Sequence, residues 1–188
     1  VGTSAAAHRC TAIFKTRIKN VQARLHRVLA LRIQGVNTAG WVRIAGNTSM
    51  MYGSDTMGVS DSMLLEQRRT AAAAAQASGG GKDLDITLIL ADGPSSRADP
   101  SHLAHEGLIL AYARSCREGW FPSQLREQCY TAIKDQLVST VPNPSDPRKS
   151  VTTSRWNKVT GPFSATFLSV KRLNWTWSSA TSVVTDKG

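Results

Sequence analysis

The sequence predicts a mainly α-helical chain: a helical bundle followed by a short C-terminal helix and strand-like appendage. Three observations predict it. From Ile13 to Gln34, the residues Phe14, Ile18, Val21, Leu25, Val28 and Leu29 recur at spacings of three and four, the repeat of one face of a 3.6-residue helix. The run Ala71 to Ala75 consists of the residue with the highest helix propensity. Helix-start signals recur at Ser60-Asp61, Asp99-Pro100 and Ser123, each a short polar side chain ahead of a periodic apolar stretch, and Pro100 suits a first helical position.

In chain order, residues 1–10 form a small, polar lead-in to the helix Ile13–Gln34, which Gly35 ends by taking the left-handed conformation. From Asn37 a second helix, interrupted around Gly40 and Gly46, carries Trp41, Ile44, Ala45, Met51 and Tyr52 and packs on the first. A third runs from Ser60 or Asp61 through the alanine block to Gly79-Gly80-Gly81. Side chains as small as alanine admit either a neighbouring helix or a nucleic-acid backbone. Leu84, Ile86, Leu88 and Leu90 alternate with Asp85, Thr87, Ile89 and Ala91, a local period that argues for a strand, although a short apolar run equally suits a buried helix. After the loop Asp92–Ala98, one helix runs from Asp99 to Gly119. The next runs from Ser123 to near Val138, with Leu125, Cys129, Ile133 and Leu137 as an i+4 row. Prolines between Val141 and Arg148 demand extended backbone. A short helix with Phe163, Phe167, Val170 and Leu173, then Trp175-Thr176-Trp177 and the strand-like Val183-Val184-Thr185, completes the chain. The expected domains are thus a basic helical domain over 1–140, a Pro-rich linker over 141–150, and a C-terminal helix and strand-like segment over 151–188. A start at Val1 and an end just after the strand-like segment give the expectation that both ends belong to something longer.

The 188 residues include 41 % apolar ones, enough for a core, and carry 23 Lys plus Arg against 13 Asp plus Glu, a net charge of +10. The imbalance is concentrated: no Asp or Glu precedes Asp55. On the first helix, Lys15, Arg17, Lys19, Arg24, His26 and Arg27 surround the apolar arc with no carboxylate to answer them, and like charges held together repel unless a polyanion neutralises them. Phosphate is the natural counterpart. The competing reading is a solvated face whose long stems cover the edge of the core. Lys15, Arg17, Lys19, Arg24 and Arg27, with Arg43 beyond them, are the candidate phosphate contacts. Trp41 and Tyr52 are candidates for stacking on a sugar or base, with a place in the core as the alternative.

Other chemistry lacks its residues. Gly79-Gly80-Gly81-Lys82 misses the spacing and the following Ser or Thr of a phosphate-binding loop. His102, His105 and Glu106 lie in the order HLAHE, which is not a zinc-helix pattern, and Asp83 with Asp85 would need further oxygen ligands to hold Mg2+. No metal site is expected. Ser4, Ser49 and the three cysteines, Cys10, Cys116 and Cys129, stand in no recognisable nucleophile arrangement, and their number and spacing suggest neither a disulfide framework nor a zinc ribbon. With no long apolar run and no signal-peptide pattern, the expectation is a soluble, intracellular protein with no membrane partner.

Met50-Met51-Tyr52-Gly53-Ser54-Asp55-Thr56-Met57 follows the basic helix. Downstream come the helix MLLEQRRTAAAA, the block Asp83 to Ala91 and a helix opening on Asp99-Pro100. A third piece runs from Gly161-Pro162-Phe163-Ser164-Ala165 through Leu173-Asn174-Trp175 to Thr185-Asp186-Lys187-Gly188. Together, over most of residues 11–188, they resemble the region C-terminal to the palm, the thumb and connection, of reverse transcriptases from non-LTR (LINE-like) retrotransposons. That family has an apolar-apolar-Tyr-Gly-Ser/Ala-Glu-x-Trp pattern, here with Asp55 and Met57 for Glu and Trp. One branch has Gly-Pro-x-Gly-Ala and Leu-Gly-Trp, here with Ser164 and Asn174 for glycine.

The resemblance implies a thumb-like fold. It also implies a partner, the RNA or DNA template–primer duplex held by its backbone, and a second partner in the remainder of the polymerase polypeptide. The palm's paired aspartates are not in this chain, where Ala91-Asp92-Gly93 offers one. Hence no catalytic residue or cofactor is expected here, and Mg2+ would belong to the palm of the parent enzyme. The rival expectation is a stand-alone, non-enzymatic basic protein that binds or packages nucleic acid.

Overall fold

The computed structural model describes residues 11–75, 83–92, 97–143 and 146–187, which are mainly helical, with two small antiparallel hairpins towards the C-terminus. The lead-in 1–10, the glycine stop at 79–81 and its following lysine, and the middle of the 92–98 loop lie outside the described residues. The chain divides into two compact units, one of residues 11–54 with Val59–Glu106, the other of Asp55–Gly58 with 107–187.

In the first unit the basic stretch forms two helices instead of one, α1 (Ala12–Gln22) and α2 (Leu25–Ile33). At the break the Arg24 amide bonds to the Val21 carbonyl at 3.0 Å and the Arg27 amide to the Arg24 carbonyl at 3.0 Å, i→i−3 contacts that tighten the turn. Neither glycine nor proline marks the place. Phe14, Ile18, Val21 and Val28 are buried as the periodicity predicts, whereas Leu25 and Leu29 beyond the break are half-buried. Burying such side chains is worth about 1.5–3 kcal/mol each, which offsets the mutual repulsion of the cations on the outer side. Gly35, with φ 83°, ends α2: its amide bonds to the Arg32 carbonyl and the Val36 amide to that of Leu31, the paired bonds of a left-handed helix stop.

The interrupted second helix is α3 (Ala39–Trp41), a π turn (Val42–Gly46) and α4 (Asn47–Met51). A Cβ on Gly46 would stand 3.3 Å from the Trp41 ring, so glycine makes room for that indole. The buried side is Val42, Gly46, Asn47, Met50 and Met51, which leaves Ile44 and Ala45 outside, and of the two readings of Tyr52 its exposure excludes a place in the core. The π turn adds a residue to one turn and thereby rotates the inward face by about 100°.

After the short α5 (Ser54–Met57), α6 (Asp61–Ala75) packs with α1, α2 and α4. Its Ala71, Ala72 and Ala74 join Val28, Val42, Leu88 and Ala98 in a core, so the alanine block serves helix packing. Buried Thr38 donates to the Ala74 carbonyl at 2.7 Å and Gln67 to that of Met50 at 3.1 Å, tying the interrupted helix to α6. The block Asp83–Ala91 is helical, α7 (Leu84–Asp92), in place of the strand that its alternation favours. The Asp83 carboxylate accepts from the amides of Asp85 (2.9 Å) and Ile86 (3.0 Å), capping the helix. Leu88 and Thr87 are buried while Ile86, Ile89 and Leu90 are exposed. Asp99 caps α8 (Pro100–Arg117) by accepting from the Ser101 amide at 2.8 Å, with Pro100 first in the helix as the sequence predicts.

In the second unit, Gly107–Arg117 of α8 is joined by α9 (Ser123–Leu137), whose i+4 row is exposed at Leu125, packs against the core at half-buried Ile133 and is buried in it at Leu137. Of the stretch 141–150, expected as an extended linker, residues 141–143 and 146–150 belong to the paired antiparallel strands β1 (Val138–Asn143) and β2 (Asp146–Ser154), with Val141 opposite Val151 and Pro142 opposite Ser150. Proline fixes the extended φ that a strand shares, and the register shifts directly after Pro142. A 3-10 turn (Trp156–Lys158) leads to α10 (Pro162–Arg172), where the Ser164 hydroxyl donates to the Gly161 carbonyl at 2.9 Å. The chain closes with β3 (Thr176–Ser179) and β4 (Ser182–Val184). The core is Leu108, Leu137, Trp156, Val159, Phe167, Leu168, Val170 and Trp177. Gly58, with φ 63°, lies against it, where a Cβ would meet the Trp156 ring at 2.7 Å and Ala165 Cβ at 3.0 Å.

Candidate nucleic-acid interface

The predicted phosphate contacts fall into two pairs and two outliers. Lys15 and Lys19 are exposed one turn apart on α1; Arg24 and Arg27 are exposed across the start of α2. The break between the helices divides what a single helix would have made one continuous stripe. Among the described residues none of these four cations forms an ion pair; those found are Arg68 with Asp85 and Asp99, and Arg117 with Glu118. The carboxylate of Glu66 on α6 reaches α1 through the Gln22 amide (3.4 Å). Arg43 is exposed on the π turn.

Arg17 is half-buried and engaged. Its guanidinium lies 4.7 Å above the Tyr52 ring and donates to the Tyr52 carbonyl. Tyr52 (φ −57°, ψ 120°) and Gly53 (φ 85°) match the central residues of a type II turn in these angles, and the carbonyl between them is left to a side-chain donor. Arg17 supplies the donor. An open depression of about 430 Å³ lies beside them, lined by Arg17, Ile44, Ala45, Thr48, Ser49 and Tyr52. Ile44 is 71 % and Tyr52 69 % exposed. Its aromatic ring gave Tyr52 its candidacy, and Ile44, Thr48 and Ser49 went unrecognised because the π turn that brings them outward leaves no mark in the sequence. Trp41 packs against the core of Val28, Val42 and Leu88.

A second charged centre, also unforeseen, is Arg68 on α6. It makes a bidentate contact with Asp99 (Nε to Oδ1 3.0 Å, Nη2 to Oδ2 2.9 Å) and reaches Asp85 as well. Burial pulls the guanidinium's pKa down, but the hydrogen bonds to Asp85 and Asp99 outweigh it and the net shift is upward. Through these contacts Arg68 links α6 to α7 and to the start of α8. Asp85 is thus an ion-pair partner and Asp83 a helix cap. His102 and Glu106 are exposed on α8, and among the described residues no group of three or more His, Cys, Asp or Glu could hold a metal ion. No described helix is long and apolar enough to cross a membrane. Comparison with protein-family models, curated proteins and solved structures finds no match.

Proposed function

We propose that the chain binds nucleic acid without regard to sequence, as the part of a retroelement RNA-directed DNA polymerase that holds the template–primer duplex. The catalytic palm belongs to the remainder of that polypeptide. One observation carries the binding reading: Lys15, Lys19, Arg24 and Arg27 stand exposed on α1 and α2, and among the described residues no carboxylate is paired to any of them. Contacts of this kind position a phosphate backbone and carry no base specificity. The retroelement reading rests on the resemblance of the three sequence pieces. Asn174 is compatible with it, since its φ of 59° is the left-handed conformation that glycine takes most readily and the related pattern has glycine there. Titrating the chain with unrelated duplexes at several salt concentrations tests the binding reading. The expected result is one affinity for all sequences and a log K against log salt slope of about −3 to −5. A slope near zero would refute it.

A further inference from the structure

We infer that the depression beside Arg17 and Tyr52 takes one unpaired nucleobase of a single-stranded nucleic acid, stacked on the Tyr52 ring. The inference rests on the proposed function and adds to it a contact of another kind, to a base in place of a phosphate. Three features carry it. The first is the ring itself. With Arg17 4.7 Å from its centroid on one side and the residue still 69 % exposed, the other face of Tyr52 is turned to solvent. The guanidinium, itself held by the Tyr52 carbonyl, lies over one face of the ring before any ligand arrives, which reduces the conformational entropy lost on binding.

The second is the lining. Ile44, 71 % exposed, and Ala45 present apolar surface suited to a flat, weakly hydrated ring, and no acidic side chain is among the lining residues. The Thr48 hydroxyl donates to the Ile44 carbonyl at 2.8 Å, so its lone pairs face outward as acceptors, while Ser49 can donate or accept. Such edges accept any base without reading it. The third is charge. The bond to Tyr52 uses one of the five N–H donors of the guanidinium, and the others suit the phosphate of the bound nucleotide. A free phosphate would leave Tyr52 and Ile44 unused, and a duplex keeps its bases stacked inside. An unpaired nucleotide satisfies the aromatic face, the apolar wall and the cation together.

The test uses the full chain, a single strand carrying 2-aminopurine at one position, and a blunt duplex. Binding the single strand should quench the 2-aminopurine fluorescence. Tyr52→Leu should abolish the quench and weaken single-strand binding about tenfold, Tyr52→Phe should keep both, and duplex affinity should be unchanged in either variant. Absence of a quench, or an equal loss of single-strand and duplex binding in Tyr52→Leu, overturns the stacking site. Failure of the duplex reading looks different: replacing Arg24 and Arg27 leaves the duplex salt slope unchanged while the quench persists. A chain that binds neither probe overturns both.

Discussion

The Arg17 guanidinium sits over the Tyr52 ring and bonds to the carbonyl of the same residue, so one cation holds both the side chain and the backbone of a turn. Gly53, with φ 85°, makes that turn possible. Gly53→Ala should cost about 1–2 kcal/mol, because a Cβ in the left-handed region crowds the carbonyl. Thermal unfolding should show a melting temperature lower by about 2–8 °C. An unchanged midpoint would mean that the turn is not held as described.

Gly58 is constrained twice, by a φ of 63° and by the Trp156 ring 2.7 Å from where a Cβ would stand. Gly58→Ala should therefore be the more damaging glycine substitution, at roughly 2–5 kcal/mol, since strain and overpacking add. Urea denaturation of the two variants side by side reads the difference. Equal midpoints would contradict the close approach.

The two acids on Arg68 should not be equivalent. Asp99, with a side chain 14 % exposed, also caps α8, whereas that of Asp85 is 71 % exposed. Asp99→Ala should cost about 2–4 kcal/mol through the lost cap and the weakened partly buried pair, and Asp85→Ala less than about 1 kcal/mol. Denaturant midpoints that rank the two variants the other way would remove Asp99 from the centre of this ion-pair group.

Tyr112 gives the fold a pH dependence at the alkaline end. Burial first, then the neighbouring Cys116 and Glu127, push its phenol well above the ordinary 10.0, with Arg126 opposing, and its hydroxyl donates to the Ala180 carbonyl. Below about pH 10 folded and unfolded chains both keep the proton and the contribution is complete. Above it the unfolded chain ionises first, so stability falls as pH rises. Tyr112→Phe should show a shallower loss of stability between pH 9 and 11 than the parent chain, at about the same slope below pH 9. Parallel curves throughout would contradict it.

The helices that obeyed simple periodicity were legible in the sequence. Phe14, Ile18 and Val21 gave the inward face of α1, Asp99-Pro100 the start of α8, and Gly35 the end of α2. What escaped was set by contacts distant in sequence. Nothing local marks the break at Arg24 or the π turn at Val42–Gly46, and these two departures decide which side chains of the candidate interface face outward. The Asp83–Ala91 block alternates like a strand, but Asp83 caps it and Leu88 is buried with the alanines of α6, so tertiary packing overrode the local pattern. Prolines at 142 and 147 correctly implied extended backbone, but whether an extended segment stands alone or pairs depends on its partner strand. Among the candidate cations, Arg17 has a structural task at the Tyr52 turn, which its position in the basic run could not reveal.

The central claim is that the exposed cations of α1 and α2 meet phosphates, and the Arg24→Gln, Arg27→Gln double variant tests it most directly. Both side chains are exposed and neither lies in the core, so circular dichroism and the unfolding midpoint should match those of the parent chain. If both touch phosphates, removing them flattens the log K against log salt slope for duplex by about 2 and weakens all sequences alike. A folded double variant whose slope equals that of the parent chain would contradict the claim and leave the cationic face as solvated surface.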